Sequence, residues 1–235
     1  MLSRNQIKFI QSLKQKKCRQ EHGLFVVEGE KVVQEFLRSD WVVDRIYSTS
    51  EWGGGSERIS NKELDRISSL KTPNKVLALV RIPVEKKEVS GNLIIALDGV
   101  KDPGNLGTII RLADWFGVKS VLCSEDCVEV FNPKVVQSTM GSLTRVNVHY
   151  VDLAEELKGM PNYEVMGAVM SGESIFEVKP KKSRVLVLGS ESHGIGENVL
   201  NLCNTKITIP KAETSGAESL NVATACAISL AQLRE

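Results

Sequence analysis

The chain has 235 residues and a net charge of +1. With 42% hydrophobic and 25% charged residues, it has the composition of an ordinary globular protein and not of an indiscriminate polyanion binder. No stretch is apolar for long enough to cross a bilayer and residues 1–20 lack the apolar core of a secretory signal, so we expect a cytoplasmic protein with no membrane partner.

Residues 1–82 alternate between short helical and strand patterns. Ile7, Ile10 and Leu13 recur at helical spacing, so a helix is expected to open the chain. The pattern then predicts, in order, a strand at 24–28, a helix at 29–37, a strand at 42–49, a helix from its cap Asn61 to Leu70, and a strand at 76–82. This order predicts a small α/β sandwich domain over residues 1–82, followed by a linker at 83–91.

The opening helix is basic. Residues 1–91 carry 17 Lys and Arg against 12 Asp and Glu, whereas residues 92–235 carry 13 against 17. Six basic residues precede the first acidic residue: Arg4, Lys8, Lys14, Lys16, Lys17 and Arg19. A phosphate backbone would be attracted to such a segment, which makes these residues candidates for RNA binding. A solvated helix face is the alternative that the same pattern leaves open.

From residue 93 onward, short runs that are apolar throughout alternate with helical patterns. The runs lie at 93–97, 118–123, 164–169, 185–188 and 206–209. Strands of this kind are typical of a parallel sheet that helices cover on both faces. The last helix, at 221–233, is apolar nearly all round, so we expect it to be buried, and a second copy of the chain could help to cover it.

Three segments of this second half end an apolar run in a polar, glycine-bearing turn. They are DGVKDPGNLGTIIRLADWFG at 98–117, LVLGSESHGIG at 186–196 and IPKAETSGAESLNVATACAISL at 209–230. Such turns deliver asparagine, arginine, glutamate and serine to the ends of strands, where open α/β sheets bind their ligands. The three segments therefore predict an active site.

The first segment predicts a strand, a turn and a helix whose first amides, at 105–108, suit an anion or a polar ligand edge. A dinucleotide-binding turn is the alternative, and its fingerprint needs G-x-G-x-x-G with an acidic residue about 20 positions on. Gly104 and Gly107 supply only G-x-x-G, although Glu125 and Asp126 do end the next predicted strand. A nicotinamide-dependent enzyme therefore stays open as a second hypothesis.

Asn105, Gly107 and Arg111 have N-x-G-x-x-x-R spacing, and LGSESHGIG and then IP with ESLNVATACAISL follow in order. Together they resemble the three motifs of the SpoU/TrmH family of RNA ribose 2′-O-methyltransferases, in the SPOUT superfamily. The resemblance covers most of residues 92–235. Residues 1–82, with FVVEGEKVVQEFL at 25–37, are similar to the ribosomal-protein-like RNA-binding domain that many members carry.

The resemblance implies an α/β fold with a parallel sheet and a deep trefoil knot, and a homodimer formed through the C-terminal domain. It implies S-adenosylmethionine as the cofactor, no metal, and RNA as the substrate, with ribosomal RNA favoured over transfer RNA because the added amino-terminal domain is common among rRNA-modifying members. The implied cofactor-binding residues are Leu188, Gly189, Glu191, Ile209, Leu220 and Asn221. The implied catalytic residues are Asn105, Arg111, Glu191, Ser219 and Asn221.

Arg111 is the residue expected to matter most for catalysis. A guanidinium is protonated far above neutral pH and is a poor general base, so we expect Arg111 to hold the target phosphate or hydroxyl and to stabilise the developing alkoxide. The proton would leave to water, a phosphate or Glu191. Asn105, Ser219 and Asn221 would orient the reactants.

Each of these assignments has a structural alternative. The two asparagines and Ser219 could be turn formers and helix caps, and Glu191 could cap a helix. His193 is given no catalytic role, and Cys123 and Cys226 are expected in the core. A protein that binds RNA and keeps the fold without the reaction is the third hypothesis.

Overall fold

The computed structural model describes residues 1–53, 55–84, 88–179 and 181–234. Residues 85–87 of the predicted linker lie outside the described residues. Within the described ranges, no helix is both long and apolar enough to span a bilayer.

The elements of the first part of the chain are α1 (Arg4–Ser12), α2 (Lys16–His22), β1 (Leu24–Glu28), α3 (Glu30–Leu37), β2 (Val43–Ser48), β3 (Glu57–Arg58), α4 (Asn61–Ile67) and β4 (Val76–Arg81). They are followed by β5 (Leu93–Asp98), α5 (Pro103–Trp115), β6 (Ser120–Cys123), α6 (Pro133–Thr139), a 3₁₀ turn (Ser142–Thr144), β7 (Asn147–Tyr150), α7 (Leu153–Lys158), β8 (Glu164–Ser174), β9 (Arg184–Gly189), α8 (Glu197–Leu200), β10 (Thr205–Thr208) and α9 (Val222–Leu233).

The chain forms two compact units. The first consists of Met1–Lys86 together with Glu129–Thr144, and the second of Lys87–Val128 together with Arg145–Glu235. The predicted boundaries treat residues 92–235 as one continuous domain and do not anticipate that 129–144 joins the first unit. Phe131 shows why it does, because its ring lies 4.8 Å from the ring of Phe25 in the core of that unit.

The first unit holds a four-stranded sheet in the order β1-β4-β2-β3. β4 runs antiparallel to both β1 and β2, and β2 pairs in parallel with the short β3. The core has one cluster under α1 and α4, which includes Ile10, Leu13, Leu64 and Leu79. The apolar spacing that predicted the opening helix is thus the spacing of residues that pack onto this sheet.

Arg19, at the end of the basic segment, is not on the surface. It is 2% exposed, and its guanidinium donates to the carbonyl oxygens of Leu13 and Lys14, each at 2.9 Å, and pairs with the carboxylate of Glu129. The prediction that Arg19 contacts RNA is therefore wrong, because its charge is already compensated inside the protein. The other five predicted RNA contacts are exposed: Arg4, Lys8, Lys14, Lys16 and Lys17.

The α4 helix is capped differently from the prediction. Ser60, and not Asn61, is the cap: its hydroxyl accepts from the Glu63 amide, and the Glu63 carboxylate accepts from the Ser60 amide at 2.8 Å. This reciprocal pair is the S-x-x-E capping box. The helix also ends at Ile67, since Ser68 is extended and its hydroxyl bonds the buried Glu28.

Glu63 makes the stability of the first unit sensitive to acid. Hydrogen bonds from Ser60 and from the Leu2 amide lower the pKa of Glu63 from 4.5 to about 2. The ionised carboxylate therefore stabilises the fold above pH 4.5, and this stabilisation is lost as the pH falls from 4.5 to about 2. Glu63→Gln keeps a capping-box residue, and we expect its melting temperature to be lower than that of the parent near neutral pH and equal to it in acid. A difference in melting temperature that is the same at every pH would contradict this.

The second unit confirms the predicted α/β class and its parallel sheet. Six strands, all parallel, are arranged in the order β10-β8-β9-β5-β6-β7. α7 and α8 pack on one face, and α5 and α9 pack against each other and contact β6 and β9. The carboxyl ends of all six strands lie along one edge of the sheet, which is the edge where parallel sheets bind ligands.

The last helix, α9, is buried on one side only. Cys226, Leu230 and Leu233 are buried, whereas Ala231 and Gln232 are exposed. One chain therefore leaves part of α9 uncovered, and covering by a second copy stays a prediction. The half-buried and exposed positions carry Ala225, Ala227 and Ala231 alongside Thr224 and Gln232, so small side chains explain why the sequence pattern is apolar nearly all round.

Candidate functional site

The first segment places Asn105 just inside a helix. β5 ends at Asp98, and Asp102 caps α5, with its Oδ1 accepting from the Asn105 amide at 2.8 Å. Pro103 occupies the first helical position, where its missing N–H costs nothing. Asp102 therefore performs the capping that was the structural alternative for Asn105, and the Asn105 side chain is left for other contacts.

The second segment forms a tight loop at the end of β9. Ser190 and Gly194 exchange two backbone hydrogen bonds, at 3.1 and 2.9 Å, so the loop turns back on itself and carries Glu191. A Cβ at Gly189 would lie 2.0 Å from the carbonyl carbon of Gly194, so only glycine fits there. Asp98 Oδ2 accepts from the Gly196 amide at 2.6 Å, which ties the end of this loop to β5.

The third segment leads from β10 into α9. Asn221 caps α9, since its Oδ1 accepts from the amides of Ala223 and Thr224 at 3.0 and 3.2 Å. The structural alternative for Asn221 is thus correct as far as its oxygen is concerned. Its amide nitrogen remains free to take part in the site.

The three segments meet through their polar side chains. Asn105 Nδ2 donates to Glu191 Oε1 at 2.8 Å. Asn221 Nδ2 donates to the same Glu191 oxygen at 2.8 Å and to Asn105 Oδ1 at 2.9 Å. The result is a closed triangle of one carboxylate and two amides, each from a different motif and as far as 116 residues apart in sequence.

The remaining predicted catalytic residues stand outside this triangle. Arg111 is exposed on α5, about 9 Å along the helix axis from Asn105 at 1.5 Å per residue, and none of the described residues forms an ion pair with it. Ser219 is exposed in the loop before α9 and contacts none of the triangle's side chains in the described part of the chain.

The predicted cofactor-binding residues lie along the ends of β9 and β10. Leu188 is 2% exposed, Gly189 and Ile209 are half-buried, and Leu220 exposes 45% of its surface in the motif-three loop. An exposed apolar side chain such as that of Leu220 suits a ligand with an aromatic ring, because the ring would cover that surface. Polar contacts there would come mainly from backbone groups.

A cavity of about 310 Å³ opens beside the triangle, within the second unit. Asn105 and Glu191 line it together with residues to which the sequence assigned no role in methyl transfer, chiefly Asp98, Lys101, Asp126 and His193. His193 Nδ1 lies 2.7 Å from the hydroxyl of its neighbour Ser192. Position at the end of a strand could have singled out Asp98, and it marks Asp126 only for the nicotinamide alternative. No sequence pattern marks Lys101 or His193 as a site residue.

Two cysteines lie at and just beyond the end of β6, and one of them contacts Val100, which lines the cavity. Cys123 is buried at the end of β6, as predicted for the core. Cys127 accepts a hydrogen bond from the Val100 amide at 3.2 Å. A hydrogen bond from Cys123, with lesser contributions from Ser124 and Val100, lowers the pKa of Cys127 to about 7, while that of Cys123 is raised. Cys226, also predicted in the core, is buried, and desolvation raises its pKa to about 12.

Comparisons with known proteins agree with this geometry. A 23S rRNA (guanosine(2553)-2′-O)-methyltransferase, RlmP, from Bacillus subtilis is 32% identical, and the alignment covers 97% of this chain and 95% of that protein. The structure is similar to that of an RNA methyltransferase assigned to the TrmH family from Porphyromonas gingivalis, with 37% identity, a TM-score of 0.90, and 100% and 98% of the two chains covered. It is also similar to an AdoMet-bound rRNA methyltransferase from Sinorhizobium meliloti, with 27% identity, a TM-score of 0.87, and 99% and 95% covered.

Family comparisons divide the chain in two. Residues 4–78 match the MRM3-like substrate binding domain. Residues 92–231, more than half of the chain, match the SpoU rRNA Methylase family, so the resemblance predicted from three motifs is confirmed. With these three motifs converging on one carboxylate, the chain belongs to the SpoU rRNA methylase family.

Proposed function

We propose that this chain transfers a methyl group from S-adenosylmethionine to a ribose 2′-hydroxyl of ribosomal RNA. The observation that carries the proposal is the hydrogen-bonded triangle of Asn105, Glu191 and Asn221, because it joins all three family motifs at the ligand-binding edge of the sheet. The RlmP relative is named for a guanosine of 23S rRNA, which supports ribosomal over transfer RNA. A nicotinamide-dependent enzyme has no comparable support.

The residues present fit S-adenosylmethionine. Gly189 lets the loop of the second segment pass directly over the end of β9, and Ile209 and Leu220 of the third segment offer partly exposed apolar surface. Leu188, Gly189, Glu191, Ile209, Leu220 and Asn221 would hold the cofactor. When bound, it supplies a methyl group on a positively charged sulfonium, which is already a strong electrophile, so the protein has mainly to align the hydroxyl and accept its proton.

Glu191 is suited to accept that proton. Its Oε1 is occupied by two amide donors, which fix the orientation of the carboxylate. Its Oε2 has no hydrogen-bond partner among the described residues and can accept from a hydroxyl. Arg111 would bind the adjacent phosphate or the ribose hydroxyl and stabilise the negative charge that develops on the 2′-oxygen. Ser219 would help to orient that hydroxyl.

The first unit would bind the RNA. Four basic residues of the opening segment are exposed and available to phosphates: Arg4, Lys8, Lys16 and Lys17. Lys14 is also exposed, and its ammonium group donates to the Ser68 carbonyl oxygen at 3.0 Å, so it contributes less. A domain that recognises RNA by shape and backbone needs positive charge more than base contacts.

We expect loss of two of these charges to weaken RNA binding and its salt dependence together. The double variant Lys16→Ala/Lys17→Ala should lower the slope of log affinity against log salt by about one for each lysine that contacts a phosphate. The matched control is Gln20→Ala, an exposed neutral residue of the same helix, which should leave the slope unchanged. An unaltered slope in the double variant would identify the basic segment as a solvated helix face.

The active form would be a homodimer, and it would act in the cytoplasm, where ribosomal RNA is modified. The second unit of each chain would contain the family's trefoil knot. Trp115, at the end of α5, is 82% exposed, and α5 packs beside the half-exposed α9. Large exposed aromatic side chains are typical of interfaces. Sedimentation of the parent and of Trp115→Glu measures the state directly, and a parent that sediments as a monomer would contradict this assignment.

Two measurements test the proposed function. Calorimetry should show binding of S-adenosylmethionine and of its demethylated product, whereas binding of NAD alone would overturn the proposal. Ribose methylation mapped in RNA from cells that lack the protein should lose one site, which the purified protein and S-adenosylmethionine restore. Cofactor binding without transfer to any RNA would favour a protein that kept the fold without the reaction.

A further inference from the structure

One wall of the cavity beside Glu191 has no part in the proposed methyl transfer. Lys101 and Asp126 stand on this wall, on the loops that follow β5 and β6. Lys101 Nζ lies 3.9 Å from Asp126 Oδ2, so a hydrogen-bond donor and an acceptor face the cavity side by side. A volume of about 310 Å³ is enough to admit a nucleobase.

The carboxylate of Asp126 is held in place. Ser124 donates its hydroxyl to Asp126 Oδ1 at 2.6 Å, and the Ser124 oxygen is itself fixed by the Gly99 amide at 2.9 Å. The other oxygen, Oδ2, points towards Gly99, where a Cβ would lie 3.3 Å away. Gly99 has a φ of +69°, so both its conformation and the space above it favour glycine, and the carboxylate stays accessible.

A carboxylate that accepts from two adjacent N–H donors, with an ammonium group beside it, matches the Watson–Crick edge of one base. A carboxylate only accepts hydrogen bonds and an ammonium only donates them. Guanine presents two adjacent N–H donors, N1–H and the 2-amino group, next to the acceptor O6. Adenine and cytosine present an amino group next to a ring-nitrogen acceptor, and uracil has one N–H between two carbonyl oxygens. In each of these bases the second carboxylate oxygen would face an acceptor lone pair, which repels it.

We propose that the cavity binds the base of the target nucleotide and that Asp126, with Lys101, selects guanine. The inference rests on the proposed function. Asn105 and Glu191 line the cavity and also belong to the triangle, so a base inside it would carry its own ribose to Glu191. Single-stranded RNA is commonly recognised in this way, by hydrogen bonds to the Watson–Crick edge of an unstacked base.

The test compares guanosine with inosine at the methylated position, placed in the rRNA by ligation of synthetic fragments. Inosine lacks the 2-amino group and keeps N1–H and O6. The parent should show a kcat/KM about 10- to 100-fold lower on inosine, the range expected for a lost hydrogen bond to a charged group. In Asp126→Asn, kcat/KM on guanosine should fall by about the same factor, and the guanosine-to-inosine ratio should approach one.

Glu125→Gln is the matched control, because Glu125 is the exposed neighbour of Asp126, loses the same charge and does not line the cavity. It should keep both the rate and the ratio. A ratio equal in the parent and in Asp126→Asn would overturn the inference, since a purely structural role of Asp126 lowers activity without changing base selection. So would an Asp126→Asn variant whose Kd for S-adenosylmethionine rises as much as its activity falls, because the cavity would then hold the cofactor.

The two proposals fail separately. If the parent methylates ribosomal RNA at a nucleotide other than guanosine, the assignment of Asp126 is wrong and the proposed function stands. If the parent transfers no methyl group to any RNA, the proposed function is wrong and the assignment of Asp126 falls with it.

Discussion

Arg111→Ala is expected to bind S-adenosylmethionine like the parent and to lose methyl transfer by about 10²- to 10³-fold, the usual effect of removing one group that stabilises a developing oxyanion. The guanidinium is exposed on α5 and forms no ion pair in the described part of the chain, so its removal leaves no buried partner without its charge. Folding and cofactor affinity should therefore be unchanged. Single-turnover transfer and calorimetry measure the two quantities separately.

Arg111→Lys separates charge from geometry. Lysine keeps the positive charge but lacks the planar fork that binds a phosphate or hydroxyl through two parallel hydrogen bonds. We expect it to recover part of the activity that alanine loses. Transfer at the parent rate by Arg111→Ala would show that the arginine has no role in the reaction, and an equal loss of cofactor binding would show that it acts earlier, on the cofactor.

Substitutions of Asn221 should separate its two roles. Its oxygen caps α9 and its nitrogen donates to Glu191 and Asn105. Serine is as good a helix cap as asparagine but is too short to reach the other two side chains. Asn221→Ser should therefore melt close to the parent while methyl transfer falls by about 10²-fold, since a small displacement of a reacting group has that effect.

Asn221→Ala should lose as much activity as the serine variant and stability as well. Loss of a cap costs about 1 kcal/mol, which for a chain of this size lowers the melting temperature by about 2–4 °C. Equal melting temperatures for the two variants would argue against the cap. Full activity of Asn221→Ser would show that the triangle is a product of capping and has no part in catalysis.

The sequence allowed the sheet and the three motifs to be predicted because both depend on local patterns. β1, for example, is predicted at its observed bounds, because four consecutive apolar residues begin at Leu24 and Glu28 ends the run. β7 was missed because its four residues are only half-buried at the end of the sheet and show no apolar run. Asn147–Tyr150 therefore becomes a strand through pairing with β6, which no short window records.

The candidate site was predictable to the extent that it lies in the motifs. The resemblance of the three segments to the family's motifs implies site roles for Asn105, Glu191 and Asn221, and the structure brings these residues within hydrogen-bonding distance. The sequence offered Asp126 only as an acidic residue for a dinucleotide site and did not mark Lys101, because their pairing depends on how the loops after β5 and β6 come together. Arg19 was misassigned for the same reason, since its partner Glu129 lies 110 residues further along the chain.

The return of residues 129–144 to the first unit means that no single cut releases that unit intact. A fragment that stops at residue 84 would leave Arg19 buried without Glu129, and breaking a buried ion pair in this way costs about 3–5 kcal/mol. It would also uncover Phe25 where Phe131 packs. The substrate-binding half and the catalytic half are consequently interlaced in the covalent chain, which passes between them three times, so either half could be exchanged in evolution only if all three junctions were preserved.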